Sequence, residues 1–173
     1  MPASSPPYRI EVLSDAHDRG TFQCGAPALD RYFREQVTQD IKRRVATCFV
    51  AVETASDAVA GYYTLAATGV RLDALAPAVA KKLPRYPIVP AALLGRLAVV
   101  DSAKGKGLGT ALMVDAIRRV ARGDLAVFAL FVDAKDEAAR AFYERHGFEL
   151  LPGETNRLCL PIATALKLMR SEP

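Results

Sequence analysis

Residues 97–117 read LAVVDSAKGKGLGTALMVDAI, and this stretch says most about the fold. An apolar run leads into a loop in which glycine recurs at every second position: Gly105, Gly107 and Gly109. Glycines let the backbone approach a phosphate and turn its N–H groups inward, and a following helix adds the positive end of its dipole. The stretch therefore predicts a strand, a phosphate-binding loop and a helix. The alternative is a glycine-rich turn with solvated lysines.

Two better-known phosphate loops do not match this one. A Walker loop needs GxxxxGK[ST], and no lysine follows Gly109. A dinucleotide fingerprint needs GxGxxG, whereas the glycines here are spaced GxGxG. These two classes of nucleotide-binding protein are therefore excluded.

Composition indicates one ordinary globular domain of 173 residues, 51% hydrophobic and 24% charged. Its three cysteines are far apart, which argues against disulfides or a cysteine metal site and predicts a cytoplasmic protein. Residues 1–7 lack the apolar core of a signal peptide, so we expect a disordered tail there and a single domain over 8–173. The net charge of +4 favours anionic partners, among which coenzyme A and nucleic acid both qualify.

Hydrophobic periodicity gives the order of elements. Apolar residues at every fourth position from Leu29 to Ile41 predict a helix that begins at Pro27. Prolines within 84–90 predict an extended loop. Strands are predicted at 8–13, 48–52, 59–68, 93–100, 125–132, 148–151 and 157–161, and helices within 27–46, 72–83, 108–122 and 136–146. This order predicts an α/β (α+β) fold with a largely antiparallel sheet.

Two motifs resemble those of the GNAT acetyltransferases. Lys104, Gly107 and Gly109 fall on the three defined positions of the pattern [Q/R]-x-x-G-x-[G/A]. Thirty residues on, DEAARAFYERHGF at 136–148 is similar to N-x-x-A-x-x-[L/F]-Y-x-x-x-G-F. Lys104 keeps the charge of the family's arginine without its planar fork, and Asp136 stands where relatives often carry Asn.

The resemblance implies the GNAT fold, a mixed, mostly antiparallel central sheet of six to seven strands flanked by about four helices. It implies acetyl-CoA as cofactor and Tyr143 as the general acid. The implied cofactor contacts are the backbone of Leu97, Ala98 and Val99, the loop Lys104, Gly105, Lys106, Gly107, Leu108, Gly109 and Thr110, and Asp136, Ala139 and Phe142.

The N-terminal half is similar to a narrower group. The segment from Phe22 to Phe33, which reads FQCGAPALDRYF, resembles the opening of GNAT toxins from bacterial toxin–antitoxin pairs, and so does GYYTL at 61–65. Those toxins acetylate the α-amine of aminoacyl-tRNA and stop translation. The resemblance also implies a homodimer and a ribbon-helix-helix antitoxin as partner.

Acetyl transfer needs an acid for the leaving thiolate, and Tyr143 is the candidate because a phenol is protonated at neutral pH. The alternative role of Tyr143 is a core aromatic beside Phe142. No residue stands out as a catalytic base. His146 is expected to stabilise a helix C-terminus, and His17 to lie in a solvated turn.

Basic residues offer candidate tRNA contacts. Arg96 lies inside a predicted strand and is expected to meet either an RNA phosphate or a carboxylate on the sheet. Four further candidates lie on or just after the first helix: Arg31, Arg34, Arg43 and Arg44. Acidic residues are interleaved with them, as on an ordinary solvated face, but with Lys81, Lys82 and Arg85 they form a possible tRNA surface. Phe22, Tyr32 and Tyr62 are expected in the core.

Three functions remain open at this point. The first is a tRNA-acetylating toxin. The second keeps the chemistry but acts on a small-molecule amine or a protein amine. The third is a coenzyme A-binding regulatory module without catalysis.

Overall fold

The computed structural model describes residues 4–171, which contain seven strands and five helical regions. The strands are Tyr8–Val12 (β1), Thr47–Glu53 (β2), Val59–Arg71 (β3), Ile88–Val99 (β4), Ala129–Asp133 (β5), Glu149–Leu150 (β6) and Arg157–Pro161 (β7). The helices are Pro27–Arg31 (α1) and Val37–Lys42 (α2), joined by the π-helical segment Tyr32–Gln36, and Pro77–Ala80 (α3), Leu108–Arg122 (α4), Glu137–Arg145 (α5) and Ile162–Ser171 (α6). Short 3-10 turns lie at Leu72–Ala74 and Asp101–Ala103.

The strands are ordered β1-β2-β3-β4-β5-β7-β6 in the sheet. Pairs β1–β2, β2–β3, β5–β7 and β6–β7 are antiparallel, and β4–β5 is parallel. This confirms the predicted mixed, mostly antiparallel sheet and the predicted hairpin of β2 and β3. The sequence analysis did not predict helix α6.

The chain divides into two compact units. The first comprises residues 4–66 and 96–116 of the described chain. Its core is aromatic. Phe33 stacks on Tyr62 with ring centroids 4.3 Å apart, and Phe22 packs edge-on against both rings. Tyr32 is buried with them, so the three aromatic residues expected in the core are found there.

Close packing in the first unit depends on Gly61 of β3. A Cβ at this position would lie 3.0 Å from the Ala98 carbonyl oxygen of β4 and 3.0 Å from Leu112 of α4. Few real Cβ atoms make contacts this short, so glycine lets β3, β4 and α4 approach one another. Helix α4, which follows the glycine loop, is thereby held on the sheet.

The second unit comprises residues 67–95 and 117–171 of the described chain. Ala91, Ala129, Phe131 and Cys159 lie in its core. Two predicted boundaries are wrong here. Strand β5 begins at Ala129 rather than at 125, and Leu125 is 81% exposed.

Strand β4 begins at Ile88, within the segment expected to be a proline loop. Pro90 is exposed, and its carbonyl oxygen accepts from the N–H of Phe128 at 2.9 Å, so its one backbone hydrogen-bonding group is paired.

The predicted N-terminal tail, 1–7, lies partly outside the described residues, since 1–3 are not described. The carbonyl oxygens of Pro6 and Pro7 accept hydrogen bonds from Thr54 at 2.7 and 2.9 Å. Within residues 4–171 no helix is long and apolar enough to cross a membrane.

Candidate active site

The glycine loop precedes α4 in the first unit. Gly105 and Gly107 have φ of +74° and +82°, a left-handed conformation that favours glycine. No heavy atom lies within 4 Å of an ideal Cβ at either position. Helix α4 begins directly afterwards at Leu108, and the first N–H groups of an α-helix have no intrahelical acceptor. The loop therefore has open space beside its backbone at the positive end of a 15-residue helix.

The two lysines of the loop have different environments. Lys104 Nζ donates to the Cys24 carbonyl oxygen at 2.5 Å and to Asp101 Oδ1 at 2.8 Å. Lys106 is exposed and lines a cavity of about 520 Å³ with residues of β1, β3 and the 100–103 segment. In this structure the Lys104 ammonium thus holds the base of the loop, and the Lys106 ammonium is the one available to an anion.

A buried carboxylate supports the contact made by Lys104. Asp30, 4% exposed, accepts the N–H of Cys24 at 2.8 Å through Oδ1. Gly25 follows with φ of +86°, and a Cβ there would lie 3.1 Å from Asp101 Oδ1. The Phe22–Phe33 segment therefore fixes the turn that receives Lys104. The sequence analysis expected the acidic residues of the first helix on a solvated face, and the buried side chain of Asp30 departs from that expectation.

The end of β4 carries the other predicted cofactor contacts of the first unit. Ala98 is buried, whereas Leu97 and Val99 are half-buried. The N–H of Val100 donates to the Ala60 carbonyl oxygen at 2.9 Å, which ties this end of β4 to β3. The expected pairing of Leu97–Val99 with a pantetheine arm stays a prediction.

The second predicted motif forms α5 in the second unit. Asp136 is its N-cap, and its Oδ1 accepts the N–H of Ala139 at 2.8 Å. Asp is among the preferred N-cap residues, so this carboxylate has a structural role that the sequence analysis did not state. Gly147 ends the helix with φ of +93°, as expected of a C-cap glycine.

Tyr143 lies on α5 and is 8% exposed. Its ring makes edge contacts with Phe142 and Phe148, at centroid distances of 5.1 and 5.4 Å. Burial raises the pKa of Tyr143 to about 12. The side chain is therefore a packed core aromatic and, at neutral pH, a protonated phenol, so its two expected roles are compatible.

Comparison with known proteins identifies the family. A family model described as the acetyltransferase (GNAT) domain matches residues 44–150, which is more than half of the chain. This chain is a GNAT acetyltransferase. It is accordingly an acetyl-CoA-dependent N-acetyltransferase, as the two sequence motifs predicted.

Individual relatives match this acetyltransferase over nearly its whole length. A protein of Mycobacterium tuberculosis named as a tRNA-acetylating toxin is 35% identical, covering 98% of this chain and 99% of the relative. The solved structure of AtaT complexed with acetyl-methionyl-tRNAfMet is 31% identical, with 95% and 99% coverage and a TM-score of 0.85. A Tyr-to-Phe variant of AtaT, bound to the C-terminus of the antitoxin AtaR and acetyl-CoA, is 25% identical, with 96% and 100% coverage and a TM-score of 0.79.

The histidines of the acetyltransferase have structural partners. His146 is the C-cap of α5, and its Nδ1 lies 2.7 Å from the Phe142 carbonyl oxygen, in agreement with the expected stabilising role. The expectation for His17 is wrong. Its side chain is 8% exposed, Nε2 lies 2.7 Å from Glu11 Oε1, and Nδ1 accepts the N–H of Ser14 at 2.9 Å. The hydrogen bond between His17 and Glu11 lowers the pKa of Glu11.

Arg96 meets no carboxylate within residues 4–171, and its expected contact with an RNA phosphate stays a prediction. Its guanidinium lies 3.4 Å from the centroid of the Tyr32 ring, in a cation–π contact. The Tyr32 hydroxyl donates to Asp40 at 2.8 Å, and burial raises the pKa of this tyrosine. Arg96 is half-buried, and the stack on Tyr32 orients its charge.

The other candidate tRNA contacts fall in both units. In the first unit, Arg31, Arg34, Arg43 and Arg44 are all exposed. Arg34 Nε donates to the Asp30 carbonyl oxygen at 3.3 Å, and Arg44 has φ of +60° just after α2. In the second unit, Lys81, Lys82 and Arg85 are also exposed.

Lys104→Met is expected to lower the free energy of unfolding by about 1 kcal/mol, because it removes two hydrogen bonds of a half-exposed ammonium and keeps most of the aliphatic stem. Lys106→Met is the matched control. Lys106 makes no hydrogen bond within residues 4–171, so its loss should change the free energy by less than about 0.5 kcal/mol. Urea unfolding measures both, and equal losses would contradict a supporting role of Lys104.

Proposed function

We propose that this acetyltransferase acetylates the α-amine of aminoacyl-tRNA and acts as a toxin that blocks translation. The similarity to the tRNA-acetylating toxin, 35% identical over 98% of this chain, carries the proposal. The solved complex of AtaT with acetyl-methionyl-tRNAfMet supports it further, since that protein is 31% identical. The net charge of +4 also suits a polyanionic acceptor better than a cationic small molecule.

The glycine loop is the proposed binding site for the cofactor pyrophosphate. Open space beside Gly105 and Gly107 fits a group that approaches the backbone, and the start of α4 favours its negative charge. Lys106 adds an exposed cation, and Leu108, Gly109 and Thr110 form the first turn of the helix. Acetyl-CoA, when bound, supplies the acetyl group as a thioester.

Tyr143 is the proposed general acid. The reaction forms a C–N bond to the α-amine, breaks the C–S bond, releases the amine proton and leaves a thiolate that needs a proton. A phenol whose pKa is about 12 keeps its proton through neutral pH and is therefore present as a hydrogen-bond and proton donor to the sulfur while the C–S bond breaks. Phe142, Ala139 and Asp136 place Tyr143 by shaping α5 and its first turn.

Arg96 is the proposed contact to the acceptor end of the tRNA. Stacked on Tyr32, its guanidinium has fewer orientations to lose on binding than a free arginine has. The exposed arginines of the first helix, Arg31, Arg34, Arg43 and Arg44, are the proposed contacts to the RNA backbone.

The proposed setting is that of a toxin–antitoxin pair in the cytoplasm. We expect residues 8–173 to act as one catalytic domain, two copies to form a homodimer, and a ribbon-helix-helix protein to silence the enzyme. Support for an antitoxin comes from AtaT, which was solved with the C-terminus of AtaR.

The function is tested by offering purified enzyme and acetyl-CoA four acceptors: aminoacyl-tRNA, uncharged tRNA, a polyamine and a lysine-containing peptide. Acetyl transfer to aminoacyl-tRNA is expected to exceed transfer to the other three by at least about a hundredfold in kcat/KM, read as N-acetyl amino acid after ester hydrolysis. Faster transfer to the polyamine or the peptide would replace the tRNA proposal with the second alternative.

A further inference from the structure

A cavity of about 460 Å³ lies in the second unit and is not used by the proposed chemistry. It is lined by Arg71, Leu72, Asp73, Ala80, Arg85, Pro87 and Ile88. Its volume is in the range of sites that take a small ligand or one group of a larger one. The lining combines an apolar surface with three charged side chains.

Charge in this part of the chain is strongly positive. Residues 71–88 contain four cations and one anion, so they supply most of the net charge of +4. Arg71 donates two hydrogen bonds of 3.0 and 2.6 Å to Asp73, so the charges of these two side chains balance each other. Arg85 has no hydrogen-bond partner among residues 4–171. The cavity therefore offers one unpaired guanidinium, with Lys81 and Lys82 exposed on the same segment.

Tyr86 gives the segment an aromatic surface. It lies between the lining residues Arg85 and Pro87 and is 70% exposed, although aromatic side chains are normally buried. Ile88 is also exposed, at 54%. An exposed aromatic ring next to a cation is an arrangement with which proteins stack unpaired bases and hold their phosphates.

We propose that this segment binds an unpaired nucleotide of RNA, with its phosphate at Arg85 in the cavity and its base on the exposed ring of the adjacent residue Tyr86. This second RNA site uses residues other than the arginines of the first helix. It rests on the proposed function in that the RNA is the acceptor tRNA. An acidic peptide would satisfy Arg85, but it would leave the exposed ring of Tyr86 unexplained.

The test measures binding of uncharged tRNA by fluorescence anisotropy over a range of salt concentrations. The variant is Arg85→Ala/Tyr86→Ala. The matched control is Arg122→Ala/Leu125→Ala, which removes an exposed arginine and an exposed large apolar side chain that do not line the cavity. The variant should bind about tenfold more weakly, with a slope of log K against log salt smaller by about 1. The control should change affinity less than about twofold, and Tyr86→Phe should retain affinity because its ring still stacks.

Two results would overturn the proposal: wild-type affinity in the Arg85→Ala/Tyr86→Ala variant, or an equal loss in the control. The first would also be the result if the cavity served an acidic peptide. Failure of the proposed function is recognised separately. If the wild type transfers no acetyl group to aminoacyl-tRNA, that function falls, while the anisotropy experiment still decides whether the cavity binds RNA.

Discussion

Tyr143→Phe is expected to lower kcat by about a hundredfold or more, with little change in KM for acetyl-CoA. The change removes one hydroxyl and keeps the ring that packs against Phe142 and Phe148, so the fold should persist. General acid catalysis contributes roughly 10²- to 10⁴-fold, and the hydroxyl is the proposed proton donor. Single-turnover kinetics with acetyl-CoA and aminoacyl-tRNA measure the effect. Bacteria that express Tyr143→Phe should also grow, whereas expression of the wild type should stop growth.

Tyr8→Phe is the control, because it removes a phenol hydroxyl on β1 that forms no hydrogen bond within residues 4–171. It should retain wild-type kcat and thermal stability. If Tyr143→Phe also retained kcat, Tyr143 would be only a core aromatic, and the acid would have to be another group.

The pH profile gives a second measure of the same role. Burial raises the pKa of Tyr143 to about 12, so the protonated, acid-competent form persists through the alkaline range. No fall in kcat from loss of this proton is therefore expected below about pH 11. A fall centred near pH 9 that vanished in Tyr143→Phe would contradict the raised pKa.

Gly107→Ala is expected to weaken acetyl-CoA binding by more than about tenfold. The new Cβ would project into the open space beside the loop where the pyrophosphate is proposed to lie. It would also strain the backbone, since φ is +82° and a left-handed conformation costs a non-glycine residue about 1–2 kcal/mol. Calorimetric titration with acetyl-CoA measures the affinity, and thermal unfolding measures the strain.

Gly153→Ala separates these two effects. Gly153 has φ of +76° and, like Gly107, has no heavy atom within 4 Å of an ideal Cβ, but it lies in the turn between β6 and β7. Both variants should lose similar stability, and only Gly107→Ala should lose affinity for acetyl-CoA. Equal affinities in the two variants would place the cofactor pyrophosphate elsewhere.

Local patterns predicted the elements around the site well. Helix α4 was predicted at its observed bounds, Leu108–Arg122, because a glycine loop before it and Gly123 after it delimit an amphipathic helix. Strand β5 was predicted too long. The first four residues of the predicted strand are apolar, but they lie before Ala129, where pairing with Ala91 of β4 begins. An apolar run does not specify the residue at which a strand starts to pair with its neighbour.

By itself the sequence determined the family, the mixed α/β fold and the glycine loop before α4, because these depend on residue types at fixed short spacings. Only the tertiary structure decided where charged side chains point. Lys104 meets a carbonyl oxygen 80 residues away, Arg96 stacks on Tyr32, and His17 binds Glu11 rather than solvent. The first two contacts form because folding brings distant segments together, and in all three a charged or polar side chain that is drawn toward the interior must find a partner.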